Sequence, residues 1–334
     1  MTAVARPRTG AAPQPATEAV SPGASWGTVR TVLRLHRTAL VVWTLVVVGL
    51  SGCLVWLGTV TADDERAAQE ACDRVGQDFC DTTTLYFMSG MDLIGLCLGY
   101  SLLVVAAFAG GSLIGREMEN GTAHLAWTQG ISPVRWLTAK LAVPALVLTA
   151  STTALVLLFR WAWDGNRDLL YHDWMGQAFT ARGPAAVAYV LCALAIGALA
   201  GLLLRRALPA LAAATGTTWA LSFGISLYRA RLWPTVTSTS TTNGHPHIPD
   251  AAWQVENGAL IHGRRVANFA SWRCDGSAAE MRRCVDEQGL TGYYASYHPE
   301  SHYWPIQLLE TGIVLAVTVL ATVAVYRLVR RRTA

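Results

Sequence analysis

Residues Arg116–Lys140, REMENGTAHLAWTQGISPVRWLTAK, form a polar insert between two apolar runs, each long enough to cross a bilayer. A hydrocarbon core takes ~20 residues of helix, and the runs at about 94–115 and 140–159 meet that length. The insert therefore reads as a loop at a membrane face. Ser132 before Pro133 is a helix-start signal, since the side chain caps and proline at the first helical position loses no needed N–H. The stretch before it reads as a short helix presented to a partner.

Working outward, four more apolar stretches of similar length lie at about 38–58, 184–204, 208–228 and 305–326. With 52% hydrophobic and only 14% charged residues in 334, the composition is that of an all-α integral membrane protein with six transmembrane helices. Pro184, Pro209 and Pro305 mark the starts of the last three. Gly95 with Gly99, and Gly197 with Gly201, have the small-xxx-small spacing that lets helices approach closely in lipid.

Basic residues set the orientation. Arg30, Arg34 and Arg37 precede the first stretch, Arg116, Arg135 and Lys140 flank the insert, Arg205 and Arg206 follow the fourth, and Arg327, Arg330, Arg331 and Arg332 end the chain. All fall on one side, so both termini are expected in the cytoplasm. External loops are then expected at about 59–93, 160–183 and 229–304, and the insert at 116–139 is cytoplasmic. The first external loop is acidic, with Asp63, Asp64, Glu65, Glu70, Asp73, Asp78 and Asp81. Cys72 and Cys80 fall in that loop and Cys274 and Cys284 in the last one, on the oxidising face. Two disulfides are expected, pairing within each loop being the simplest of three connectivities. A zinc site from these four is disfavoured because neither pair has metal-ligand spacing, so no metal is expected.

Residues 1–24 are rich in Ala, Pro and Thr and read as a disordered cytoplasmic tail. From 25 to 37, Trp26, Val29 and Leu33 recur at helical spacing with Arg30, Arg34 and Arg37 on another face, as in a helix lying on an anionic membrane surface. Leu50–Cys53 spells a lipobox, but the apolar run continues past Cys53, as a span does and a cleaved signal peptide does not.

The motif E-x-E-x-G-T, Glu117, Glu119, Gly121 and Thr122, is followed by Trp127, Thr128, Gln129, Ser132, Arg135, Trp136 and Lys140. These spacings resemble the first cytoplasmic loop of ABC-2 type transporter permeases. Arg34–Arg37 resembles that family's elbow helix, here 25–37. Tyr297, His298, Pro299, Tyr303, Trp304, Gln307 and Glu310 resemble the entry to the last span in the branch common in high-GC Gram-positive bacteria. The resemblance implies a six-span permease domain over 38–334 of ABC-2, type V exporter-like architecture. It also implies a coupling helix carrying Glu117, Glu119, Gly121, Thr122, Trp127 and Arg135 onto a cytoplasmic ATP-binding subunit. Thr122 is positioned to cap that helix, Glu117 and Glu119 to place negative charge near its positive end, and Leu125 and Trp127 to offer contact surface.

The one lysine, Lys140, lies outside any Walker motif, so ATP and magnesium would be bound by the partner and none by this chain. Lys140 itself is expected to snorkel to the interface. Glu310 is an ionisable group one to two turns into the last span. It is a candidate, with Gln307 one turn earlier, for a substrate path or gate. His245, His247, His262, His298 and His302 read as exposed external residues; no H-E-x-x-H or G-x-S-x-G accompanies them, and no catalytic residue is assigned. The expectation is a permease subunit in the bacterial plasma membrane, dimeric with itself or a similar permease, exporting an amphipathic compound and binding no nucleic acid. The alternatives are a sensor or scaffold that binds an ATPase without transport, and a membrane enzyme built on the histidine-rich loop.

Overall fold

The computed structural model describes Arg34 and residues 36–75, 86–170, 178–241, 245–249, 251–267, 277, 280, 283 and 287–333. Arg30, Cys80, Cys274 and Cys284, with most of the 1–37 region, lie outside them. Among the described residues six helices are long and apolar enough to cross a membrane: Arg37–Arg74, Tyr86–Glu119, Pro133–Gly165, Ala185–Leu204, Ala207–Arg231 and Glu300–Arg331. They are called the first to sixth spans. The bundle has a loop end, carrying the Thr122–Thr128 helix and the turn between fourth and fifth spans, and a sheet end opposite.

The first span runs longer than its apolar stretch. Helix Arg37–Trp56 passes through a wider π-helical turn, Leu57–Thr61, into Ala62–Val75. Much of the acidic stretch expected as loop is thus helical. Asp63, Asp64 and Glu65 sit in the first turn of that extension and Arg74 in its last, charges of the signs favoured at those ends. Two cross-links hold it. Glu65, buried, accepts from the Phe87 N–H at 3.0 Å at the start of the second span. Arg66 grips Asp168 through Nε and Nη2, at 2.7 and 3.0 Å, and Asn166 at 2.7 Å. The Arg66 hydrogen bond holds the Asp168 carboxyl below its usual range.

The fourth span is the centre of the bundle, with 67% of its apolar window buried against 6% for the first span and 17% for the fifth. Its small residues permit this. A Cβ on Gly197 would stand 2.5 Å from the Ala109 Cβ, and one on Gly201 2.8 Å from that of Ile114. Both contacts lie on the π-helical stretch Phe108–Gly115 of the second span, so this pair packs helices as expected. The other pair divides: Gly95 is buried, whereas a Cβ on Gly99 would meet nothing within 4 Å.

The region expected as a long loop before the sixth span contains a four-stranded antiparallel sheet. The strands are β1 Val236–Ser240, β2 Trp253–Ile261, β3 Arg264–Ala267 and β4 Leu290–His298, in the order β1-β4-β2-β3. Val236 faces Tyr297 across β1–β4, and Ile261 faces Arg264 across β2–β3. The β2–β3 hairpin turns on His262 and Gly263, at φ 49° and 74°, the two left-handed positions of the turn whose twist suits a hairpin. The fold is therefore mostly helical, as the sequence reading holds, with a small β-layer at one end.

Candidate functional sites

At the loop end, Arg116–Glu119 continues the second span and Thr122–Thr128 forms the short helix. Gly121 joins them at φ 71°, a left-handed conformation that glycine adopts without Cβ strain. The roles differ from those expected. The short helix has no side-chain cap: Gly121 is its N-cap, and the Thr122 hydroxyl instead donates to the Glu117 carbonyl at 3.3 Å.

Glu117 turns into the bundle and pairs with Lys140. Lys140 is buried rather than snorkelling, because a carboxylate one helix away is a nearer partner than the interface. Its ammonium also sits 5.7 Å from the centre of the Trp136 ring. Burial, and secondarily the Lys140 charge, push the nearby His36 imidazole down to about 4. Glu119 accepts from the Ala207 N–H at 2.8 Å. It therefore places its charge at the N-terminus of the fifth span, not of the short helix. Trp127 packs edge-to-face on Trp136 and His124, at 5.8 and 4.7 Å. Ser132 accepts from the Arg135 N–H at 3.4 Å, making the expected cap. Two donors here, the Trp127 indole N–H and an Arg135 guanidinium nitrogen, are buried with no partner among the described residues. Leu125 is 58% exposed at the tip. Arg34 and Arg37 are exposed where the first span begins.

At the sheet end a second polar cluster lies within the bundle. Glu310 is fully buried and bound in a fork by Arg229, Nε to Oε2 at 2.7 Å and Nη2 to Oε1 at 2.8 Å. The Tyr189 hydroxyl donates to Oε1 at 2.9 Å. Gln307 does not bond Glu310; it donates to the Phe179 carbonyl and accepts from the Ala185 N–H, so it stitches the sixth span to the start of the fourth. The Arg229 guanidinium lies 4.4 Å over the Phe179 ring and reaches Thr180 at 3.4 Å. Sequence reasoning found Glu310 by its depth but missed Arg229 and Tyr189. The available signal was an arginine ending one apolar run at a depth similar to that of a glutamate in another, since opposite charges at matched depth pair.

His298 is buried rather than exposed. Its Nε2–H donates to the Ala230 carbonyl at 3.0 Å, since a carbonyl only accepts. Its Nδ1 then accepts from Nδ1–H of His302 at 3.1 Å. Burial lowers the His298 pKa from the ordinary histidine value. His245, His247 and His262 are exposed, and among the described residues no three His, Cys, Asp or Glu side chains gather as metal ligands would. Cys53, Cys97 and Cys192 are free thiols, whereas Cys72 is disulfide-bonded; the other three cysteines of the expected bridges lie outside the described residues.

Among the cavities, one cleft of about 270 Å³ runs between the second, fourth and fifth spans, with Gly99, Tyr189, Trp219 and Arg229 in its wall. Compared with known proteins, residues 37–229 match the family described as ABC-2 membrane transporter related. No curated protein and no solved structure matches the chain.

Proposed function

Because the chain belongs to the ABC-2 membrane transporter related family, we propose that it is the permease subunit of an ATP-binding cassette exporter moving an amphipathic compound out of the cytoplasm. Its ATP and magnesium are bound by a separate cytoplasmic ATPase, and two permease chains, identical or similar, complete the transporter. Both termini and the loop end face the cytoplasm of a bacterial plasma membrane. The 25–37 segment lies on that face as the elbow helix, and Thr122–Thr128 is the coupling helix.

One observation carries this reading. The presented loop has an exposed apolar tip, Leu125, beside two buried donors, on Trp127 and Arg135, without partners among the described residues. Unmet buried donors are costly and mark a loop whose packing is unfinished, and a docked subunit would cover the exposed tip beside them. The two glutamates then anchor the loop to the bundle. Glu117 binds the third span through Lys140 and Glu119 the fifth through Ala207, so a push on the loop reaches two spans directly. Gln307 and Glu310 belong to the gate at the far end, holding the fourth, fifth and sixth spans together. Cys72 pairs with Cys80 and Cys274 with Cys284 across the two external segments, a proposal supported by the oxidised state of Cys72.

The test is affinity purification of the tagged chain from native membranes in mild detergent, with mass spectrometry of what accompanies it. A P-loop ATPase in near-equal amount is expected, lost on Glu119→Arg and on Leu125→Glu, the second touching only the exposed tip. No ATPase, with the chain intact, would turn the reading toward a membrane sensor or enzyme. Thiol labelling of Cys72, Cys80, Cys274 and Cys284 in intact cells would remove the disulfides.

A further inference from the structure

We propose that the cleft between the second, fourth and fifth spans takes an aromatic amphiphile by an anionic or hydrogen-bond-accepting group, with Arg229 as the residue that selects it. The proposal rests on the permease reading for its biological sense, but its chemistry stands on the site. Expectation from sequence put Glu310 forward as part of a substrate path or gate. The carboxylate is instead fully buried, with Arg229 and Tyr189 occupying it. What lines the cleft is Arg229.

Three features define the ligand. Arg229 is 8% exposed, with Nε and Nη2 engaged by Glu310 and Thr180, and its guanidinium lines the cleft beside Tyr189. A guanidinium only donates, so the matching ligand atom is an acceptor, and an anionic one gains a charge-assisted bond. The second feature is the wall. Trp219 and Phe223 stack at 5.2 Å and 7°, each about half exposed, and present a flat aromatic surface suited to a ring rather than to a flexible acyl chain. Between them and Arg229 stand Ser222 and Ser226, whose hydroxyls donate to carbonyls of their own helix at 3.0 and 2.7 Å and add no charge. The third is the opposite wall, where a Cβ on Gly99 would meet nothing within 4 Å. The glycine that does not pack a helix leaves the cleft open.

The experiment uses the full chain in nanodiscs of zwitterionic lipid, with equilibrium dialysis of two probes that share a ring and differ in charge, naphthalene-2-sulfonate and 2-naphthyltrimethylammonium. The sulfonate is expected to bind about ten-fold more tightly or better. Arg229→Gln combined with Glu310→Gln, which removes both charges without orphaning either, should erase that preference. Trp219→Ala should weaken both probes, and Gly99→Leu should exclude both. Equal or tighter binding of the ammonium, or a sulfonate preference that survives the paired glutamine variant, would overturn the proposal. So would undiminished binding to Gly99→Leu, a variant whose new side chain begins in open space and tests the site even where the paired variant fails to fold. Sulfonate binding that phosphatidylglycerol in the disc abolishes and Trp219→Ala does not touch would assign the cleft to a lipid headgroup and overturn the aromatic ligand. None of these measurements needs the ATPase, so their failure leaves the permease reading standing, and absence of the ATPase leaves them interpretable.

Discussion

At the scale of single residues, the chain hides two ion pairs inside an apolar bundle, Glu117 with Lys140 and Glu310 with Arg229. A buried charge is tolerated only while its partner is there, and removing one member leaves an uncompensated ion that costs ~3–5 kcal/mol, whereas neutralising both costs far less. Glu310→Ala should therefore lower stability by about that amount, and Arg229→Gln with Glu310→Gln by much less, read as thermal unfolding in detergent. Equal losses for the single and paired variants would mean that packing, not charge, dominates there. Half of each pair was legible in the sequence. Glu310 stands out because an acid within an apolar run is rare, and Glu117 because it belongs to a motif. Their partners were not legible, since Arg229 and Lys140 sit at run ends where basic residues are ordinary interface anchors. Only the crossing of helices decides that they turn inward.

At the scale of elements, close packing of the fourth span on the second is set by glycine. Gly197→Val would press a branched side chain into the Ala109 Cβ and the Ala106 carbonyl, at 2.5 and 2.9 Å from the first added carbon. It should cost ~1–3 kcal/mol through overpacking, seen as a lower unfolding temperature, while Gly99→Ala should change it little. The two glycines occur in the same sequence spacing, and sequence assigns them the same role. The difference arises because one faces a neighbouring backbone and the other a cleft. The sheet was missed for a related reason. Its strands, such as VTSTS and LTGYYASYH, are polar and Thr- or Tyr-rich with little apolar alternation, so the run read as loop. The His262-Gly263 turn was the hairpin signal available.

At the scale of the whole molecule, the sheet layer joins the bundle where the His298 imidazole bonds the Ala230 carbonyl at the end of the fifth span. His302 faces the other ring nitrogen, and the Trp253 ring lies 5.0 Å away. The folded pKa of His298 is depressed by burial, so the unfolded or undocked state binds the proton more readily. Stability is therefore full above the ordinary histidine value of ~6.5 and is lost as pH falls below it. Protection of β4 amides, taken relative to the intrinsic exchange rate at each pH, should fall between pH 7 and 5, and His298→Gln should flatten that dependence; an unchanged profile would place the pH response elsewhere. Sequence alone determined the six spans and the polar insert between the second and third, because span length and apolar composition answer to the bilayer and need no tertiary partner. Only the tertiary structure decided which charges are paired, which glycines pack and which side chain lines the cleft. Those outcomes depend on the rotation of each helix about its axis, which in lipid is set by contacts with neighbouring helices rather than by hydrophobicity.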